Sequence, residues 1–290
     1  MLLISILIHL SHQKDKTMIK MNKKLISFLC IMLAVLTVFS ACSKKKKDEN
    51  NKGNAQSTQE NAWENIGDYE INSSAYLEIL ADGEHKKLVG GCFDTEKYAY
   101  YVLESKAGTS VICKYDTKDN SLKSKSATLD ISGVEGICYK NNTVILLHGK
   151  TKLSVFDSAR FELKETKTLL FDCCGIAYNK GADRFVLALD NGGISVMNSS
   201  FEQIFVITGI GSADKVSAIT CNNKYIFTIT ATENGSEILV YDWDGNYVST
   251  ASVSDVRLDP VCAYVDDGVF YIGYENENGG AVYKTVLKKR

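Results

Sequence analysis

The sequence predicts an all-β domain made of five repeats of four short strands each. Two recurring phrases with one shared period predict it, together with the turn residues that separate them. The first phrase is a short segment that mostly closes on an aromatic: GGCF (90–93), GICY (136–139), GIAY (175–178), AITC (218–221) and VCAY (261–264). Its last residues, Phe93, Tyr139, Tyr178, Cys221 and Tyr264, are spaced 46, 39, 43 and 43 apart. The second phrase follows about 20 residues later and carries Tyr115, Phe156, Met197, Tyr241 and Tyr283, spaced 41, 41, 44 and 42. Two independent markers that keep one period define a structural repeat.

Each repeat resolves into strands a to d. In the third, GIAY is strand a, DRFVLALD strand b, GGISVMN strand c and EQIFVITG strand d. Turn-forming residues fall between them: Asn179-Lys180-Gly181, Asp190-Asn191-Gly192-Gly193 and Ser199-Ser200. In the fourth, Asn234-Gly235 and Asp244-Gly245 supply hairpin turns. Valine, isoleucine, threonine and tyrosine fill the strands in loose alternation, as half-buried strands require.

Four-strand units of this length resemble the blades of a β-propeller. The resemblance covers residues 74–290 and implies a single propeller of five four-stranded blades, without WD or kelch signatures. The fifth unit stops at strand c (GGAVYKTVLKK), while AYLEILADG (75–83) precedes the first unit with no blade of its own. A propeller must close, because an open ring leaves unpaired edges. The N-terminal strand is therefore expected beside the C-terminal three. The column Cys92, Cys138, Ala177, Thr220 and Ala263 is expected to line the crowded axis, and the following aromatic column to pack between blades.

Upstream of this domain, Met21 begins the run MNKKLISFLCIMLAVLTVFSAC. Two lysines, an uncharged stretch from Leu25 to Ala41 and the small pair Ser40-Ala41 have the layout of a secretory signal. With Cys42 directly after the small pair, the segment resembles the lipobox of bacterial lipoproteins, although Phe39 stands where Leu or Val is usual. That resemblance implies cleavage before Cys42, lipid on its thiol, and a membrane-anchored, extracytoplasmic location in the cell envelope. The competing reading is an uncleaved anchor, but the apolar run is at the short edge for spanning a bilayer. Residues 1–20 are expected to precede the true start. Residues 43–73 open with SKKKKDENNKGNAQSTQENA, nearly devoid of apolar side chains, and are expected to form a flexible tether.

Composition narrows the partners. The formal charge of −2 becomes −6 once the first 42 residues are removed. No basic face accumulates, so nucleic acid is excluded as a partner. Seven cysteines follow Cys42, an odd number, and three of them occupy repeat positions filled elsewhere by alanine, threonine or tyrosine. They read as small core residues rather than as disulfides or a metal site. Only His85 and His148 follow the signal, and no G-x-S-x-G elbow is present, so no metal, cofactor or catalytic residue is assigned.

The d-to-a loops of a propeller open on one face. Here they carry Asp130, Glu135, Asp172 and Asp214, expected to converge as an acidic ligand-binding rim. Glu104, His148, Asp190 and Glu275, at the ends of strands b, are secondary candidates on the same face. The favoured reading is a monomeric, membrane-tethered binding module for a glycan, peptide or protein partner. The alternative is a propeller enzyme of the glycoside hydrolase or lyase type, for which Glu135 and Asp172 form the one carboxylate pair to nominate.

Overall fold

A computed structural model describes residues 62–81, 83–208 and 216–290. Cys42 and Asp214 lie outside them. A short 3-10 helix, Ala62–Asp68, leads into β1 (Tyr69–Leu80). Blade 1 then holds β2 (His85–Phe93), β3 (Tyr98–Ser105), β4 (Ser110–Asp116) and β5 (Leu122–Lys125). Blade 2 holds β6 (Val134–Lys140), β7 (Thr143–His148), β8 (Lys152–Asp157) and β9 (Leu163–Thr168). Blade 3 holds β10 (Cys173–Asn179), β11 (Arg184–Leu189), β12 (Ile194–Asn198) and β13 (Gln203–Ile207). Blade 4 holds β14 (Val216–Cys221), β15 (Tyr225–Thr232), β16 (Gly235–Asp242) and β17 (Tyr247–Val253). Blade 5 joins β18 (Pro260–Asp266), β19 (Val269–Asn276) and β20 (Gly279–Lys289) to β1. All neighbours are antiparallel, and β2, β6, β10, β14 and β18 contact one another in a closed ring. The molecule is a five-bladed β-propeller.

The closure is the expected one. Strand β1 lies outside β20, with Ala75 opposite Tyr283 and Leu80 opposite Gly279. The pairing also runs back to Tyr69 opposite Lys289, so the sheet begins before residue 74. The described residues include a part of the stretch expected as tether, and that part packs on the propeller. Trp63 is 2% exposed and packs between Phe227 and Phe270, with ring centroids 5.4 Å from each. Glu64 Oε1 accepts hydrogen bonds from Lys224 Nζ at 2.8 Å and Tyr225 OH at 3.1 Å. Ile66, Tyr69 and Ile71 add partly buried surface to the same cluster. The strongly polar run ends at residue 61, and the apolar side chains after it have a groove between blades 4 and 5 to fill.

The core consists of layers between blades. Cys138, Ile145 and Leu147 of blade 2 meet Ile176, Phe185 and Leu187 of blade 3, for example. Each such side chain contributes about 1.5–3 kcal/mol on leaving water. Strand alternation therefore buries both faces of every blade. The outermost strands β5, β9 and β13 are polar or half-exposed.

One irregularity recurs in all five inner strands. The pairing of β2 with β3 shifts between Leu88 and Gly90, and the other inner strands shift at Val134/Gly136, Cys173/Gly175, Val216/Ala218 and Pro260/Cys262. Each shift is a β-bulge whose extra residue is Val89, Glu135, Cys174, Ser217 or Val261. The bulges align Gly90, Gly136, Gly175, Ala218 and Cys262. Neighbouring inner strands approach closely here: a Cβ on Gly136 would lie 3.1 Å from the Ile176 nitrogen. The bulges also correct the register of blade 5. Val265, and not Tyr264, shares the column of Phe93, Tyr139, Tyr178 and Cys221, while Tyr264 takes the place of Cys92. Its ring is buried, and its hydroxyl meets that of Tyr101 at 3.0 Å.

Candidate functional site

The axis of the ring is pinched in the middle and open at both ends. The pinch is a space of about 20 Å³ walled by Gly136, Ile137, Gly175, Ile176 and Ala218 among others, room for little more than one water. The two mouths are therefore chemically separate.

Of the four residues expected as a binding rim, Glu135 lines the d-to-a mouth. That mouth opens into a funnel of about 220 Å³, with Glu135 and Glu275 on its wall. Glu135 is half-buried and also reaches the pinch. Asp130 and Asp172 are exposed and do not line the funnel. Asp190 forms an ion pair with Lys150, whose ammonium pKa is raised by that bond first and by nearby Asp172 and Glu135 as well. Glu135, Asp172 and Asp190 thus gather about one lysine where blades 2 and 3 meet. Glu104 Oε1 accepts a hydrogen bond from the Gly133 nitrogen at 2.7 Å, so it fastens a d-to-a loop. His148 Nε2 lies 2.9 Å from Ser154 Oγ, and burial pushes its pKa below the usual value, with Lys152 adding to the effect.

The a-to-b mouth is larger and was not anticipated as a site. Its cavity has a volume of about 580 Å³. The ends of three inner strands supply Phe93, Tyr139 and Tyr178 to its wall, and the hairpins that follow supply its rim. Phe93 stacks on Tyr264 at 5.6 Å, and Tyr139 stacks on Tyr100 of the neighbouring blade, also at 5.6 Å. The expected packing of this aromatic column between blades is thus only part of its role. It also surfaces the cavity.

The rim is polar and held by side-chain bonds. Asp94 Oδ1 accepts from the backbone nitrogens of Glu96, Lys97 and Tyr98 at 2.9, 2.7 and 2.9 Å. Asn222 Oδ1 accepts from the nitrogens of Lys224 and Tyr225, and Asn179 Nδ2 donates to the Asn222 carbonyl at 2.6 Å. Tyr139 OH donates to Asn142 Oδ1 at 3.1 Å, and Tyr178 OH donates to Asp183 Oδ1 at 2.6 Å. Asn141 and Asn223 line the cavity as well. Lys180 of blade 3 and Glu96 of blade 1 are 3.7 Å apart, a pair that links non-adjacent blades across the opening. Burial, with Asp267 adding to it, raises the Asp266 carboxyl above the ordinary range.

Among the described residues, no group of three or more His, Cys, Asp or Glu side chains is arranged to hold a metal ion. Nor is any helix among them long and apolar enough to cross a membrane. Burial pushes the Cys173 and Cys262 thiols up to about 12, as expected of core residues rather than reactive thiols.

No protein-family model matches this chain, and no curated protein matches its sequence. Among solved structures, the crystal structure of Myxococcus xanthus glutaminyl cyclase is similar to it, with a TM-score of 0.54 and 10% identity. That likeness covers 77% of this chain and 97% of the other. At this identity it is a likeness of fold, and one fold hosts many chemistries.

Proposed function

We propose that this chain is a non-catalytic binding module, tethered to the outer face of a cell membrane through lipid on Cys42, which receives a glycan in its a-to-b mouth. The observation that carries the reading is the cavity of about 580 Å³. Binding sites of small ligands fall at about 300–1,000 Å³ and combine apolar walls with a few fixed polar groups. Phe93 and Tyr139 offer ring surface suited to the C–H faces of a sugar. Tyrosine combines an apolar body with a polar tip. The amides of Asn141 and Asn223, which both donate to and accept from hydroxyls, and the Asp267 carboxylate, which accepts from them, surround these rings. A peptide fits less well, because the pocket is compact and offers no exposed strand edge to pair with.

The tether rests on the signal-like segment ahead of Cys42. A fatty-acid probe should label the wild-type chain in cells and leave Cys42→Ala unlabelled. The ligand is tested by probing a glycan array with the full chain in mild detergent. A defined set of sugars should be retained, and Tyr139→Ala and Asn141→Ala should each weaken that retention at least about tenfold, or 1.4 kcal/mol. An empty array, or retention untouched by both changes, would exclude this mouth as a glycan site.

A further inference from the structure

The five bulges place one residue from every blade around the same funnel. Val89, Glu135, Cys174, Ser217 and Val261, the extra residues of the five inner strands, all line the d-to-a mouth. A bulge breaks ladder pairing and re-aims a side chain, so a bulge repeated five times around an axis is a constructed collar. We infer that this collar is a second binding site, for a primary ammonium group on a short apolar body, with Glu135 as its counter-ion.

The chemistry of the ring supports that class of ligand. Two of the five positions are valines and two are small, and the wall behind them adds Leu88, Val134, Val216 and Pro260. Glu135 is the one charged residue of the collar, half-buried where the funnel narrows. Lys150, which feels the charge of Glu135, is already bonded to Asp190. Of the charges at the lip, Lys87 and Glu275 have opposite sign, so the funnel keeps the charge of Glu135. An anion would be repelled by Glu135. An ammonium at Glu135 gains a charge-assisted hydrogen bond while its alkyl part fills the collar. The volume of about 220 Å³ suits one small amine or the end of one chain rather than a drug-sized molecule. The pinch below stops it from passing to the other mouth.

Calorimetry on the full chain in mild detergent tests this with n-butylamine, n-butanol and butyrate. Butylamine should bind at least tenfold more tightly than its neutral and anionic counterparts, and Glu135→Gln, which keeps the shape, should remove that preference. Tyr139→Ala should leave it unchanged, so failure here is separable from failure of the glycan reading. A tripeptide with a free amino terminus and its N-acetylated form make the second arm. If the free peptide surpasses butylamine, the ammonium is a chain end; if butylamine surpasses it, the ligand is a free amine. Equal binding of amine and alcohol, an unaltered preference in Glu135→Gln, or no binding of any probe would overturn the proposal.

Discussion

Replacing Trp63 by alanine tests whether the propeller begins at the 3-10 helix or only at the first strand. The indole is 2% exposed and touches Phe227 of blade 4 and Phe270 of blade 5, at angles of 57° and 73° between ring planes. Truncating a buried tryptophan to alanine typically costs about 3–5 kcal/mol, because transfer energy is lost and a cavity remains. Within that figure, each tilted or edge-on ring pair is worth about 0.5–1.5 kcal/mol beyond area alone. In a domain of this size one kcal/mol moves the melting temperature by about 2–4 °C, so a fall of roughly 6–20 °C is expected. Differential scanning fluorimetry on the full chain, with Lys106→Ala in the exposed turn after β3 as the baseline, reads this directly. A baseline substitution in an exposed turn should stay within about 0.5 kcal/mol of wild type. Trp63→Phe should recover part of the loss, since it restores one ring in the same groove. If Trp63→Ala melts within about 2 °C of the baseline, the helix is not part of the fold and the closure starts at β1.

Gly279 opens β20 with φ +132, and an added Cβ would lie 2.3 Å from the Ile79 carbonyl oxygen. Gly279→Ala should therefore weaken the seam between the two chain ends by about 1–3 kcal/mol, seen as a lower urea midpoint, and an unchanged midpoint would contradict the register of β1 on β20. The folded pKa of His148 lies below its ordinary 6.5, through burial first and then Lys152. Its neutral form is the one the fold favours, so its contribution is complete above pH 6.5 and is lost as pH falls towards the folded pKa. Urea midpoints at two pH values, one on each side of that window, should fall more on acidification for wild type than for His148→Gln; equal falls would sink this account.

The blade count and the closure were legible in the sequence because they depend on period and on bookkeeping of strands. Five units, one surplus strand at the start and one missing at the end admit few arrangements. The packing of Trp63 was less legible. A single tryptophan after twenty polar residues has no periodicity, and its groove exists only once blades 4 and 5 stand side by side. The register of blade 5 was misread for a related reason. Tyr264 is aromatic and ends the phrase VCAY, so matching by residue type put it level with Phe93. Matching by strand pairing moves it one place, opposite Tyr271 in β19, with Val265 at the cavity wall.

The same distinction separates what could and could not be read of the two mouths. Glu135 was identified as a rim carboxylate from its loop position, yet its neighbours in space, Val89, Cys174, Ser217 and Val261, carry no shared chemistry. What they share is a break in alternation just before the glycine or small residue of each inner strand, a geometric signal that recurs in all five repeats. The a-to-b cavity was hidden by the opposite circumstance. Asn141-Asn142, Asn179-Lys180-Gly181 and Asn222-Asn223 are what tight hairpins require, since asparagine tolerates left-handed backbone and bonds to its own turn. Asn141 and Asn142 do sit at positive φ, and Asn142, Asn179 and Asn222 do hold turns. A residue type already explained by its turn raises no further question until the ring closes and sets these hairpins around one opening. In a propeller, turn chemistry at the axial end of a blade is also surface chemistry of the central cavity, and the repeat places it there in every blade.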